Sequence, residues 1–446
     1  MKKVALSLLF CGGLIFGQEV RILTLPEAIS YALQNKADAK KAQLDIRKGE
    51  AQIAQVKSSA YPNISIGSNT SYNPLLQETV LPGDVFGEPG KQIKVAFGQK
   101  WTSSNNIQLS QVLFNQSVFT GLKAAKTTRE FYIINKELTE EQIIEKVAHA
   151  YYQVYQSEQM LLNAENNLQI TDQTIKIIKG LYDAGLARKI DYDRTVVAKN
   201  NIIATTQQLA NSVQLSENAL KFMIGMPMAE KIELPNQTFD PAILPDSDPG
   251  NFEDRAELRL ASKQLELLEW QKKASEAEYY PTVGLIANYG FVGQGSKFPL
   301  WNGSKNGVYW SDLASIGLQI NIPIFNGFAT KSKVQLNEID IEKAQTDFNE
   351  TKLGLDLAHS NAITLLTNNM TTINMQLENV KLADEVLSNT RSNYQYGLAT
   401  LSDILDAEKD LTQSKNNLTQ AKLDYKLAEI ELLKSQGKLN TLKEIN

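Results

Sequence analysis

Small and apolar residues recur at three- and four-residue spacing over long stretches of this chain. From Leu25 they run through Ala28, Ala32, Ala39, Ala42, Ile46, Gly49, Ile53, Val56 and Ala60, with Asn35 the one polar member. Near the C-terminus Ile404, Leu411, Leu418, Tyr425 and Leu432 hold one heptad position, and Ala407, Ser414, Ala421, Ala428 and Ser435 hold the other. This is the spacing of helices that pack along their whole length, and alternating large with small residues lets such helices approach closely. The breakers agree. Of the thirteen prolines, none falls from Gly90 to Met226 or from Ile324 to Asn446, and five crowd between Pro227 and Pro249. Leu122 to Lys179 lacks glycine as well, which predicts one helix of roughly 87 Å, far longer than the helices of ordinary domains. A plain antiparallel helical hairpin accounts for the periodicity as well as a tubular wall does.

Four segments alternate instead with period two. Val283, Leu285, Ala287, Tyr289 and Phe291 are interleaved with small or polar residues, as are Ile316, Leu318, Ile320, Ile322 and Ile324; Asn63–Tyr72 and Asn105–Phe114 do the same more weakly. These predict strands with one apolar and one polar face. In a membrane barrel the apolar face meets lipid and the other lines the lumen. Long loops rich in glycine, proline and aromatics are expected at Asn73–Thr102 and Val292–Asp312. Trp101, Trp301 and Trp310 fit either an interfacial aromatic belt or packing of those loops on each other.

The chain is also an internal repeat. Tyr61-Pro62 matches Tyr280-Pro281, Leu113-Phe114-Asn115 matches Ile324-Phe325-Asn326, and Tyr182-Asp183-Ala184-Gly185-Leu186-Ala187 matches Tyr394-Gln395-Tyr396-Gly397-Leu398-Ala399, 212 positions later. Each half reads helix, strand, long loop, strand, very long helix, glycine turn, helix. The expected division is a first repeat at 18–226, a proline-rich linker at 227–250, a second repeat at 251–439 and a tail at 440–446. Four strands with exposed edges cannot stand alone in lipid. Two chains give a filled eight-stranded barrel and three give twelve strands, enough for a pore. A trimer is therefore the smallest assembly that closes the sheet around a channel.

Composition narrows the setting. Met1-Lys2-Lys3 followed by a mostly apolar run to Gly17 reads as a secretory signal peptide at 1–17, with lipidation at Cys11 as the alternative. Cys11 is the one cysteine, so a processed chain has neither disulfides nor thiolate metal sites. Losing Lys2 and Lys3 takes the formal charge from −5 to −7, a poor balance for nucleic acid. No later run reaches the length of a transmembrane helix, so entry into a membrane requires a closed barrel.

This order of elements, with its two Gly-Leu turns and its Phe-Asn strand exits, resembles the TolC-like outer-membrane efflux proteins from about Leu25 to Leu439. The most specific stretch runs from Tyr394-Gln395-Tyr396-Gly397 through Asp403 to Asp406. The resemblance implies a homotrimer in the outer membrane of a Gram-negative bacterium, mixed α and β. A twelve-stranded barrel, four strands per chain, continues through a mixed equatorial region into a periplasmic helical barrel. It also implies docking to a periplasmic adaptor and an inner-membrane pump, with export of small molecules or polypeptides and no cofactor. By the same resemblance Asp403 and Asp406 form acidic rings at the periplasmic aperture, Tyr394 joins the network that holds it shut, Asp191 aligns with Asp403 in the first repeat and is placed at the same aperture, and Gly185, Leu186, Gly397 and Leu398 meet the adaptor. Two departures change that network. Ala399 stands where the family has an arginine, and Arg194 takes the second acidic position of the first repeat, so Arg188 or Arg194 become the candidate latch residues.

Other readings remain open at these positions. Thr400-Leu401-Ser402-Asp403 is a capping box, a role compatible with an aperture. Gly185 and Gly397 fit left-handed helix ends. His149 and His359 show no acidic or cysteine cluster at ligand spacing, which argues against a metal site. Gly290 to Lys297 superficially resembles a phosphate loop, but its Ser and Lys are reversed and Phe298-Pro299 follows in place of a helix. No catalytic constellation is recognisable. The rivals are a non-transporting trimeric coiled-coil stalk or adhesin-like protein, which needs no paired amphipathic strands, and an enzyme on a helical scaffold, which lacks candidate chemistry.

Overall fold

The computed structural model describes residues 21–235 and 252–444; the signal-peptide segment and most of the proline-rich linker lie outside them. The helices are α1 (Leu25–Asn35), α2 (Ala37–Ser58), α3 (Gln116–Asp183), α4 (Lys189–Ile224), α5 (Ala256–Glu276), α6 (Ala329–Gln395) and α7 (Leu401–Ser435). The strands are β1 (Arg21–Ile22), β2 (Asn63–Tyr72), β3 (Glu78–Pro82), β4 (Gln92–Ala96), β5 (Trp101–Phe114), β6 (Ile232–Glu233), β7 (Thr282–Gly295) and β8 (Val308–Asn321). α3 and α6 reach 68 and 67 residues, lengths that the absence of proline permits. Among the described residues no helix is long and apolar enough to cross a membrane.

The described residues fall into two compact units, each drawing on both sequence repeats. The first takes those within Met1–Ile46, Tyr132–Ala261 and Asp347–Asn446. Its main core joins Leu23, Ala28, Ile29, Ile144, Val147, Tyr151, Leu220, Ile224 and Ile430. A short parallel pairing of β1 with β6 lies beside it, and the Tyr151 hydroxyl donates to the Leu23 carbonyl at 3.2 Å. The C-terminal heptads do what their spacing predicts: Ile404, Ala407, Leu411, Ala421, Tyr425, Ala428 and Leu432 are all buried. Tyr425, Ala428 and Leu432 pack on Ala362, Leu366 and Ile373 of α6. Each fully buried leucine or isoleucine there contributes about 1.5–3 kcal/mol.

One helical expectation fails. The run from Leu25 to Ala60 is two helices, broken at Lys36, whose ψ of 136° is extended. The cause is the end of α4. Gly225, at φ +76°, lies so close that a β-carbon on it would sit 3.2 Å from the Asn35 carbonyl and the Lys36 α-carbon. Lys36 Nζ turns to donate to the Phe222 carbonyl at 2.9 Å, capping α4.

Glu158 is the unusual carboxyl of this unit. Burial, then repulsion from Glu217 and Glu233, raise its pKa to about 7. An acid whose folded pKa lies above its unfolded value of 4.5 favours the folded state fully at low pH, and that contribution is lost as pH rises through 7. Glu158→Gln is therefore expected to stabilise the protein by about 1–2 kcal/mol at pH 8, after allowing for solvent screening of a partly exposed group, and to change little at about pH 4, below the unfolded pKa. Melting curves at the two pH values check this; equal shifts at both would exclude the titration.

The second unit takes Arg47–Phe131 and Ser262–Thr346. It holds a four-stranded antiparallel sheet in the order β2-β5-β7-β8. Pairing of β5 with β7 sets the strands of the two repeats side by side. Register gives the sheet two distinct faces, because directly paired residues share a side. Ile64, Leu109, Ala287 and Ile316 form one cross-strand row, and Ser65, Gln108, Asn288 and Ser315 form the next row on the opposite face. The outer edges of β2 and β8 have no strand partner among the described residues.

The strands extend further than their alternation suggested, and the loops are correspondingly shorter. β5 begins at Trp101, β7 continues to Gly295 and β8 begins at Val308, so Trp101 and Trp310 are strand residues. Ile322 and Ile324 fall beyond the last ladder pair, Thr282 with Asn321, since Pro323 has no N–H to donate. Trp101 packs on its cross-strand partner Tyr72 at 4.7 Å and on Phe298 at 5.1 Å between ring centres. The indole of Trp310 covers Gly293, where a β-carbon would come within 2.7 Å of it. Asn73–Thr102, expected as a loop, carries the β3–β4 hairpin. Gly290–Gly295 is the end of β7, an extended strand with no phosphate cradle. Charged pairs tie the helical part of this unit: Arg129 grips Glu50 with two donors, Lys263 reaches Glu130 at 2.7 Å, and Lys272 reaches Glu338 at 2.9 Å.

Candidate functional site at the helical turns

The turns joining α3 to α4 and α6 to α7 both belong to the first unit. Gly185 and Gly397 stand at φ +75° and +73°, conformations that cost a side-chain-bearing residue about 1–2 kcal/mol. Around each, the same pair of bonds closes the helix. Leu186 N–H donates to the Leu181 carbonyl and Leu398 N–H to the Asn393 carbonyl, both at 2.8 Å, while the glycine N–H groups reach Tyr182 and Tyr394. These bonds satisfy carbonyls that a helix end otherwise leaves open. Leu186 and Leu398 are each 78% exposed, so the two turns present matched leucines outward.

α7 starts with the capping box its sequence announced. Thr400 N–H donates to Asp403 Oδ2 at 2.6 Å, the Thr400 hydroxyl to the same oxygen at 2.8 Å, and Asp403 N–H returns to Thr400 Oγ1 at 3.3 Å. Those donors, the backbone one foremost, hold the Asp403 carboxyl below the usual carboxylate range. Asp406 follows one turn later on the same exposed face. Both carboxylates therefore point outward from the start of α7, and capping does not withdraw Asp403 from solvent.

Asp191 is engaged by Arg188, which forks onto it at 3.0 and 3.1 Å. Burial and then the charge of Asp191 push the Tyr394 phenol up, with Arg188 opposing. The structure thus brings Tyr394, Asp191 and Arg188 into one electrostatic neighbourhood. Arg194 takes a different route and donates to Ser402 Oγ at 3.4 Å, linking α4 to α7.

The sequence reading missed a buried node beside these residues. Glu408, 4% exposed, accepts from Thr174 Oγ1 at 2.6 Å, Arg391 Nη2 at 3.0 Å and Thr171 Oγ1 at 3.1 Å. Arg391 also donates to the Ile170 carbonyl at 3.0 Å. Three helices, α3, α6 and α7, are fastened at this point. The available signal was Glu408 itself, which falls among Ile404, Ala407 and Leu411 on the apolar stripe. A second correction concerns His149. Glu145 and Glu431 do cluster with it, where no acidic or cysteine cluster at ligand spacing was expected. Glu145 stands one helical turn before it, and Glu431 arrives from a helix distant in sequence.

Comparison with known proteins decides the family. The model of the outer membrane efflux protein family matches residues 28–226 and 252–438. The chain belongs to the outer membrane efflux protein family. BepC of Brucella suis, an outer membrane efflux protein, is 23% identical over 98% of this chain and 90% of that protein. The outer membrane protein TolC of Escherichia coli K12 is 20% identical over 83% and 76%. Among solved structures, the outer membrane protein VceC of Vibrio cholerae superposes with a TM-score of 0.72 at 19% identity, covering 93% of this chain and 96% of that one. The open-state MtrE outer membrane channel of Neisseria gonorrhoeae gives 0.71 at 19% identity, covering 93% and 89%. The fold is that of these solved outer-membrane proteins, and the family match makes this chain an outer-membrane efflux protein.

Proposed function

We propose that three copies of this chain join their four-stranded sheets into a twelve-stranded barrel and that the trimer is a passive exit duct. A periplasmic adaptor and an inner-membrane pump would deliver small molecules or polypeptides to it, as in tripartite efflux or type I secretion. The observation that carries this reading is a two-faced sheet whose edge strands have no partner among the described residues, on the same chain as two very long helical hairpins. An apolar face of that kind is stable against lipid, and its edges are satisfied by closure with copies of itself. In this assembly Asp403 and Asp406 ring the periplasmic aperture, with six carboxylates converging on a narrow neck, where they attract cations. Tyr394, Asp191 and Arg188 form its latch, and the exposed turns at Gly185-Leu186 and Gly397-Leu398 meet the adaptor.

Single-channel recording in planar bilayers tests the assignment. The purified protein is expected to conduct, and Asp403→Ala combined with Asp406→Ala to weaken block by divalent cations and alter conductance. Unchanged conductance and block in the double variant would sink the aperture assignment. A mature chain that stays monomeric, water-soluble and non-conducting would return the stalk reading.

A further inference from the structure

The cluster around His149 lies apart from the helical turns and is independent of the duct reading. Glu145 and His149 share one face of α3, and Glu431 approaches from α7. One ligand atom from each lies within 4.8 Å of the other two. His149 Nε2 is shielded from solvent and has no hydrogen-bond partner; it faces Glu431 Oε1 at 3.6 Å, too far for a hydrogen bond. Lys434 Nζ closes the other side, 2.8 Å from Glu145 Oε1 and 3.7 Å from Glu431 Oε2. Two carboxylates thus face one ammonium beside an imidazole nitrogen that no hydrogen bond uses.

We propose that Glu145, His149 and Glu431 bind a divalent transition-metal cation of the Zn²⁺ class, which clips α3 to α7. One imidazole and two carboxylates are a borderline ligand set, suited to Zn²⁺ over the soft Cu(I), and imidazole adds little for Mg²⁺ or Ca²⁺. Bond lengths near 2.0–2.1 Å place tetrahedral ligand atoms roughly 3.3 Å apart, so the cluster must contract by up to about 1.5 Å from its 4.8 Å span, within reach of two partly exposed glutamates turning about their own bonds. Three protein ligands leave the fourth position to water. Lys434 is the internal competitor. Its side chain is 35% exposed, so the ammonium can move into solvent when a doubly charged ion replaces it.

Zinc titration of the full-length mature protein in detergent, stripped with chelator, tests this by calorimetry. One saturable Zn²⁺ site per chain is expected, with affinity at least tenfold weaker in His149→Gln and in Glu431→Gln and stronger in Lys434→Met. Saturating Zn²⁺ should raise the melting temperature of the wild type and leave His149→Gln unmoved. Should the variants fold poorly, Co²⁺ bound to the wild type should show visible absorption of a four- or five-coordinate site, displaced by Zn²⁺ and indifferent to millimolar Mg²⁺. No saturable binding, binding that His149→Gln leaves intact, weaker binding in Lys434→Met, or binding in Lys434→Met alone would each overturn the site.

Discussion

Ile316→Arg should block assembly of this protein in a membrane, whereas Ser315→Arg, one residue away, should not. Ile316 is 81% exposed near the middle of β8 and shares a row with Ile64, Leu109 and Ala287. On the duct reading that row faces hydrocarbon, where an arginine at mid-depth costs about 2–4 kcal/mol. The proposed trimer carries the substitution three times, for a total on the order of 6–12 kcal/mol, comparable to the whole stability of a folded domain. Ser315 pairs with Asn288 on the opposite face, which the same reading turns toward the lumen, where a charge remains hydrated. The measurement is the fraction of each variant recovered as a detergent-resistant oligomer after refolding into vesicles. Equal recovery of the two variants would mean that the apolar face does not meet lipid.

That contrast depends on which residues share a face, which period-two alternation made legible within each strand; the pairing of one strand with the next came from the structure. The heptads at Ile404–Leu432 were equally legible, since burial of a helix stripe follows its own spacing. The parts that failed depend on neighbours distant in the chain. Lys36 breaks a periodic run because Gly225 presses against the backbone before it, and a break set by a contact across nearly two hundred residues leaves no mark in local periodicity. The ends of β7 and β8 were misplaced for a similar reason. Ladder pairing carries β7 through Gly293 and Gly295, whose own preferences say little, while Pro323 ends a pattern that hydropathy alone continues.

The turns show the same division. Gly185, Gly397 and the Thr400 box are local devices, completed within six residues, so the chain states them outright. The Arg188 fork onto Asp191 is local too, and was within reach as a pairing three residues apart. Glu408 is different, because its partners arrive from two other helices and only a carboxylate out of place in an apolar stripe announces it. The Glu145–His149 pair was readable as neighbours one turn apart, but the third member required α7 to be placed against α3.

Removing that carboxylate is expected to be the most damaging single change in the helical unit. Glu408→Ala leaves the Arg391 guanidinium and the hydroxyls of Thr171 and Thr174 without the acceptor they converge on. Breaking a buried pair from one side costs about 3–5 kcal/mol. Arg391 keeps its bond to the Ile170 carbonyl and its side chain is 24% exposed, which places the loss near the lower bound, about 3 kcal/mol. The melting temperature should fall on the order of 6–12 °C, followed by circular dichroism of the purified protein. Replacing both partners, Arg391→Met with Glu408→Met, removes the stranded charge along with the pair and should recover most of the loss, to within about 1 kcal/mol of the wild type. The two single variants and the double variant form a thermodynamic cycle. If Glu408→Ala melts with the wild type, the carboxylate is not holding the three helices; if the double variant melts no higher than Glu408→Ala, the loss came from packing and not from a charge left alone.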